Sequence, residues 1–210
     1  TLSLHDALPI STGTVGGAAK LAFTTQPSAS TVAGSAFATQ PVVTVQDANG
    51  NTVTGSTASV TLTLTTGTGT LGGTATMDAV AGVADFAGKG LNINLAGTNK
   101  VLTATSGVLA TATTSPAFTI TAGAASTIAV NAGNGQSATA GSAVATDPSV
   151  LVTDANGNPK SGVSVTFAVA SGGGSITGGT QTTDASGIAT VTSWTLGTTA
   201  GANSLTATSA

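Results

Sequence analysis

The stretch GVSVTFAVA, residues 162–170, sets Val163, Val165, Phe167 and Val169 at every second position, with Ser164, Thr166 and Ala168 between them. Successive side chains on a strand point to opposite faces, so this pattern sends a row of apolar groups inward and a row of small or hydroxyl groups toward water. Residues 58–64 repeat it, Ala58, Val60, Leu62 and Leu64 alternating with Ser59, Thr61 and Thr63. Glycine-rich turns at residues 67–73 and 172–174 follow these two segments, and no segment holds a 3.6-residue period long enough for a helix. Threonine suits such strands, because a β-branched side chain packs on a pleated, half-buried surface without needing charge.

The chain also resembles itself. DANGN occurs at residues 47–51 and again at 154–158, 107 positions later, and AGSA recurs with the same offset at residues 33–36 and 140–143. Leu21 and Phe23 match Ile128 and Val130, and Val43 and Val45 match Val150 and Val152. Val60, Leu62 and Leu64 then match Val165, Phe167 and Val169, Gly82 matches Gly187, and LTATS at 102–106 matches 205–209. Conserved motif order with a slowly drifting offset is the mark of two copies of one domain with loop insertions. The expected fold is therefore all-β: two tandem antiparallel sandwiches of about seven strands each. Their expected bounds are 19–122 and 123–210, after a lead-in of residues 1–18. The first copy continues into SPAFTIT, residues 115–121, which reads as its final strand. The second ends before a counterpart, so it is expected to be incomplete at its C-terminal edge, with an open sheet edge.

Composition narrows the function. In 210 residues there are four lysines, no arginine, seven acids that are all aspartate, one histidine and no cysteine, for a net charge of −3. Without a basic stripe, a phosphate-tracking groove for nucleic acid is not expected. No apolar run approaches the ~18 residues that span a bilayer, so no membrane contact is expected of this segment. Absence of cysteine excludes disulfides and thiolate metal sites.

The runs VLVTDANGNPKSGVSVTFAVASGGGSI (150–176) and GIATVTSWTLGTTAGANSLTATS (187–209) resemble the group 1 bacterial immunoglobulin-like domains of the invasin and intimin type. The D-x-N-G-N hairpin, G-V-x-V-x-F strand, G-x-A strand and W-x-L-G corner stand in that family's order. The first copy resembles the same superfamily more loosely, having no tryptophan, with Lys89 and Gly90 where Trp194 would align. What the resemblance implies is a repeat from a bacterial adhesin-like protein, extracellular or at the cell surface, anchored in the outer membrane or secreted. Its partners would be neighbouring immunoglobulin-like repeats of the parent chain, a host or cell-surface receptor being reached through other domains.

The opening TLSLHDALPI, residues 1–10, resembles the in-frame translation of a sequencing-library adapter, and its His5 and Asp6 are set aside from functional reasoning on that ground. Beyond it there is no His, Cys, Glu, Arg or Tyr, which leaves nothing poised for general acid-base or nucleophilic work near neutral pH. No catalytic residue and no cofactor is expected, and the chain is expected not to be an enzyme.

Three sets of side chains stand out as candidates. Asp47, Asn49 and Asn51, and their copies Asp154, Asn156 and Asn158, have the oxygen spacing that begins a calcium loop. That loop needs glycine at position six and a bidentate Glu at twelve, whereas Gly50 and Gly157 fall at position four and no Glu exists. A hairpin closed by an Asx-turn is the plainer expectation. Trp194 could stack on a sugar, but glycan modules present several exposed aromatics, and burial at a sandwich edge is expected instead. Lys20 could form a crosslink to asparagine only with an acidic neighbour in the core.

The sequence thus points to a non-catalytic spacer or stalk repeat. Strands of about seven residues at ~3.3 Å each, plus loops, make each domain about 30 to 40 Å long, and the linker TAGAAS, residues 121–126, leaves little freedom between neighbours. A receptor- or glycan-binding module, or an accessory domain of a large secreted polysaccharide-degrading enzyme, is the alternative.

Overall fold

The computed structural model describes residues 13–209, so the adapter-like segment and its His5 and Asp6 lie outside the described residues. The first half of the chain forms β1 (Lys20–Thr25), β2 (Ser30–Val32), β3 (Val42–Gln46), β4 (Ser59–Thr66), β5 (Leu71–Gly72), β6 (Thr76–Asp78), β7 (Val83–Asp85), β8 (Asn92–Ile93), β9 (Gly97–Thr105), β10 (Ala112–Thr113) and β11 (Phe118–Thr121). The second forms β12 (Thr127–Ala132), β13 (Ser149–Thr153), β14 (Ser164–Ser171), β15 (Gly174–Thr177), β16 (Thr180–Thr182), β17 (Ile188–Thr190), β18 (Ser193–Leu196) and β19 (Ser204–Ser209). No helix occurs among the described residues.

Strands of the first group form sheets only with one another: β1-β3-β7 in one sheet, β2-β11-β9-β4-β6 in the other with β10 on β9, and a β5-β8 ribbon. The second group repeats this plan as β12-β13-β17, β16-β14-β19 and the ribbon β15-β18. Two β-sandwiches in tandem result, each with its own core.

Alternation does what the sequence requires of it. On β14, Val165 and Phe167 are buried while Ser164, Thr166 and Ala168 are exposed, and on β4 Val60 and Leu62 are buried in the same way. Leu64 and Val169 are half-buried because both strands leave the core at that point. Each fully buried side chain of this size contributes roughly 1.5–3 kcal/mol by removal from water. The outward threonines bond across strands: Thr65 to Thr103 at 2.7 Å and Thr61 to Thr76 at 2.9 Å, hydroxyl to hydroxyl. At the start of β17, Gly187 has φ 75°, and a Cβ there would lie 2.6 Å from the Val152 carbonyl oxygen. Only glycine fits so close an approach at that backbone angle.

One expectation needs correction. The sandwich is not wholly antiparallel, because β2 pairs β11 in parallel. After β1 the chain passes through Pro27, which has no N–H for a ladder, crosses to the facing sheet and there runs alongside β11. Backbone bonding places Trp194 opposite Gly90 or Leu91 of the first sandwich: Gly34 N–H donates to Ile93 O as Gly141 N–H does to Gly197 O, and Phe37 N–H to Leu91 O as Val144 N–H does to Trp194 O.

The sandwiches differ where β11 lies. In the first, Phe118 and Ile120 of β11 are buried, and Phe118 meets Phe37 edge-on with ring centroids 5.5 Å apart. In the second, no described strand pairs with the edge of β19 away from β14. A groove of about 550 Å³ runs there between Val130, Val144, Phe167, Trp194 and Leu205.

Candidate functional site: the hairpin joint

The two DANGN segments fold identically. Asp47 N–H donates to Asn51 O at 2.9 Å and Gly50 N–H to Asp47 O at 3.1 Å, and residues 154–158 repeat both bonds at the same distances. Gly50 and Gly157 take φ of 91° and 81°, the left-handed region that such a turn demands. Each aspartate then turns its carboxylate back onto its own loop. Asp47 Oδ1 accepts from Asn49 N–H and Asn51 N–H, both at 2.9 Å, and Oδ2 from the Asn51 side-chain amide at 3.0 Å. Asp154 receives the same set from Asn156 and Asn158, at 2.8, 2.9 and 2.9 Å.

Each carboxylate also seizes the chain that enters its sandwich. Gly16 N–H donates to Asp47 Oδ2 at 2.9 Å, and Gly123 N–H, its equivalent in the linker, to Asp154 Oδ2 at 2.8 Å. Both carboxyls are buried, yet both are held below the usual carboxylate range. For Asp47 the Asn51 side-chain amide does most, followed by Gly16 N–H, and the pKa falls from 3.8 to about 2. For Asp154 burial pushes upward, and the hydrogen bonds from Asn158, Gly123 and Asn156 outweigh it. With N–H donors on every side, these oxygens are arranged for donors rather than for a cation, which would need lone pairs turned outward. No group of three or more His, Cys, Asp or Glu side chains gathers among the described residues.

The second hairpin then does something the first does not. Asn156 Nδ2 donates to Ala33 O of the first sandwich at 3.1 Å, Asn158 Nδ2 to Asn94 O at 3.0 Å, and Ala96 N–H donates to Asn158 Oδ1 at 2.8 Å. A Cβ on Gly34 would come within 2.9 Å of Asn156 Nδ2. Asn158 is 3% exposed as a result, whereas its counterpart Asn51 is exposed. The joint between the sandwiches is thus a hairpin seated against the loop after β2 and the loop after β8, with the linker pinned beside it.

The candidate residues therefore fall into two hairpins of different sandwiches, three in each, and Trp194 stands apart from both. Trp194 is buried, its ring on the wall of the groove in the second sandwich, and its Nε1 has no hydrogen-bond partner among the described residues. Lys20 Nζ reaches Ala48 O at 3.4 Å. Sequence reasoning missed Ala33, Gly34, Asn94 and Ala96 as the receiving side of the joint. The signal was present for two of them, since AGSA repeats at the same offset as DANGN. It also missed Lys100, which is 1% exposed, lies against Gly67 and Gly97, and donates its ammonium to Thr68 O. Desolvation lowers its pKa.

Fold and joint together define a tandem β-sandwich segment in which a polar hairpin, not a catalytic or metal centre, is the most developed feature. No family model and no curated protein matches the chain. Among solved structures it is similar to the D0-D1 domains of intimin, at 19% identity over 90% of each chain with a TM-score of 0.33. It is similar to FdeC, an Escherichia coli adhesin, at 21% identity over 87% of this chain and 56% of that one, with a TM-score of 0.35. It is also similar to invasin, a bacterial integrin-binding protein, at 20% identity over 90% of this chain and 36% of that one, with a TM-score of 0.36. The chain thus spans about half of the FdeC structure and about a third of the invasin structure.

Proposed function

We propose that this chain is a non-catalytic spacer from an adhesin-like bacterial protein, secreted or displayed at the cell surface, with repeat units at residues 19–122 and 123–210. The observation that carries this reading is the joint. A linker of six residues alone would let two domains swing through a limited cone. Four added hydrogen bonds between Asp154, Asn156 and Asn158 on one side and residues of the linker and the first sandwich on the other restrict that swing further, which is what a spacer needs and an independent module does not. The adhesin class is supported by the motif resemblance of residues 150–176 and 187–209. The near absence of trypsin-type cleavage sites, four lysines and no arginine in 210 residues, suits a segment exposed outside the cell.

Small-angle scattering tests the mechanical core of this reading. The wild-type chain is expected to give one narrow, two-lobed distance distribution, and the double variant Asn156→Ala, Asn158→Ala a broadened one. A broad distribution already in the wild type, or an unchanged one in the variant, overturns it. Surface shaving of the source bacterium with a protease tests location: peptides of this segment are expected in the released fraction, and their confinement to the cell interior overturns the placement.

A further inference from the structure

In the structure each repeated motif supplies one side of the joint. DANGN at 154–158 is the plug, AGSA at 33–36 forms part of the socket, and both motifs recur 107 residues away with the opposite partner uncovered. We infer that the hairpin of residues 47–51 is itself a plug, built to seat on the socket end of a sandwich of the same kind placed ahead of Gly16. This rests on the spacer reading and names the partner of its first hairpin.

Three observations carry it. The first hairpin reproduces the second bond for bond within itself, so the Asn51 side chain is held as that of Asn158 is and the Asn49 backbone as that of Asn156. The incoming chain is already pinned as a linker is pinned, with Gly16 N–H on Asp47 Oδ2 where Gly123 N–H is on Asp154 Oδ2. That contact has no use in closing the first core, since Gly16 lies outside every strand. It sets Gly16 beside the hairpin as Gly123 is set beside the second. Finally, Asn49 and Asn51 are exposed, and the Asn49 side chain has no hydrogen bond among the described residues, whereas its equivalent Asn156 is engaged with Ala33 O. The Asn51 side chain, held by the Asp47 carboxylate and left facing water, is a preorganised donor and acceptor whose ordering cost is already met inside the loop, and Asn49 stands beside it with its backbone fixed by the same carboxylate.

The socket side is duplicated too. Ser142 N–H donates to Thr139 O at 2.9 Å as Ser35 N–H does to Val32 O at 3.0 Å, so the AGSA turn holds the same shape at the far end of the second sandwich. The interaction is small and polar, so it depends on tethering, where the high effective concentration of a short linker makes a few hydrogen bonds sufficient. The partner is therefore a covalently preceding repeat rather than a free protein.

The test is a chain in which residues 19–122 are placed directly before residues 16–209, so that Ala122 runs into Gly16 as it natively runs into Gly123. Residual dipolar couplings and side-chain amide exchange are read at both joints of this three-sandwich protein. The expected result is one shared alignment for all three sandwiches, with Asn51 side-chain exchange slowed to match that of Asn158. Asn49→Ala, which removes no bond internal to the loop, is expected to free the new joint alone. If the new joint moves independently while the Asn158 joint stays coupled, the inference fails and the spacer reading stands. If both joints are uncoupled, the spacer reading fails with it.

Discussion

The two sandwiches carry the same motifs in the same order, yet among the described residues only the first has a strand at the place of β11. Sixteen buried apolar side chains form the core cluster of the first and six that of the second. The six are the central positions of β13, β14 and β17 with Val191 beside them, which the repeat shares. Phe118 and Ile120 of the first core come from β11, for which the second sandwich has no counterpart among the described residues. Strand pairing and alternation therefore suffice to set the plan of the sandwich, to whose core β11 adds Phe118 and Ile120.

The comparison can be broken most sharply at Phe118. Phe118→Ala is expected to cost the first sandwich about 3–5 kcal/mol, read by chemical denaturation with a near-ultraviolet or NMR probe in that domain. A cost near zero would mean the β11 layer does not close the core. In the opposite direction, appending SPAFTIT through a short spacer after Ser209 is expected to raise the midpoint of the second sandwich and to shift the emission of Trp194, the single tryptophan, to shorter wavelength. Unchanged emission would show that the groove does not accept a strand.

Asp154→Ala comes next. It strips the N–H groups of Asn156, Asn158 and Gly123 of their acceptor, and the buried one, that of Asn158, costs about 1–3 kcal/mol when left unmet. The loss should loosen the joint as well as the hairpin, and relaxation measurements on both sandwiches check that. The smallest effect is the pH response of Asp47. Its folded pKa of about 2 lies below the ordinary 3.8, so the charged form is favoured by folding. Its contribution is complete above about pH 4 and disappears as pH falls toward 2. Acid titration of Asp47→Asn should flatten that part of the stability curve, and an identical slope would show that the carboxylate is not the group responsible.

Much of this was legible in advance, and the exceptions have physical causes. Residues 58–64 and 163–169 announce their strands because period two has one interpretation when a single face is apolar. The DANGN turns are equally plain, since Asp, Asn and Gly at that spacing satisfy a tight loop from within. Lys100 was not legible. A lysine between Asn99 and Val101 reads as solvated, and it is buried because Gly67 and Gly97 leave a trough for its stem and Thr68 O receives its charge. The contacts of Asn156 and Asn158 with Ala33 and Asn94 were hidden for another reason. A side-chain amide bonded to a carbonyl more than 60 positions away leaves no periodic trace, and only the shared offset of AGSA and DANGN pointed to it.

The parallel pairing of β11 with β2 joins Thr119 to Ser30, nearly the full length of the first sandwich apart. A contact of such long range forms late, because the intervening chain must be gathered before the reward arrives. A ribosome releasing this polypeptide from its N-terminal end must therefore deliver some ninety residues beyond β2 before the first module can seal. Until then it is an unfinished sheet with a bare rim, open to pairing with any strand it meets.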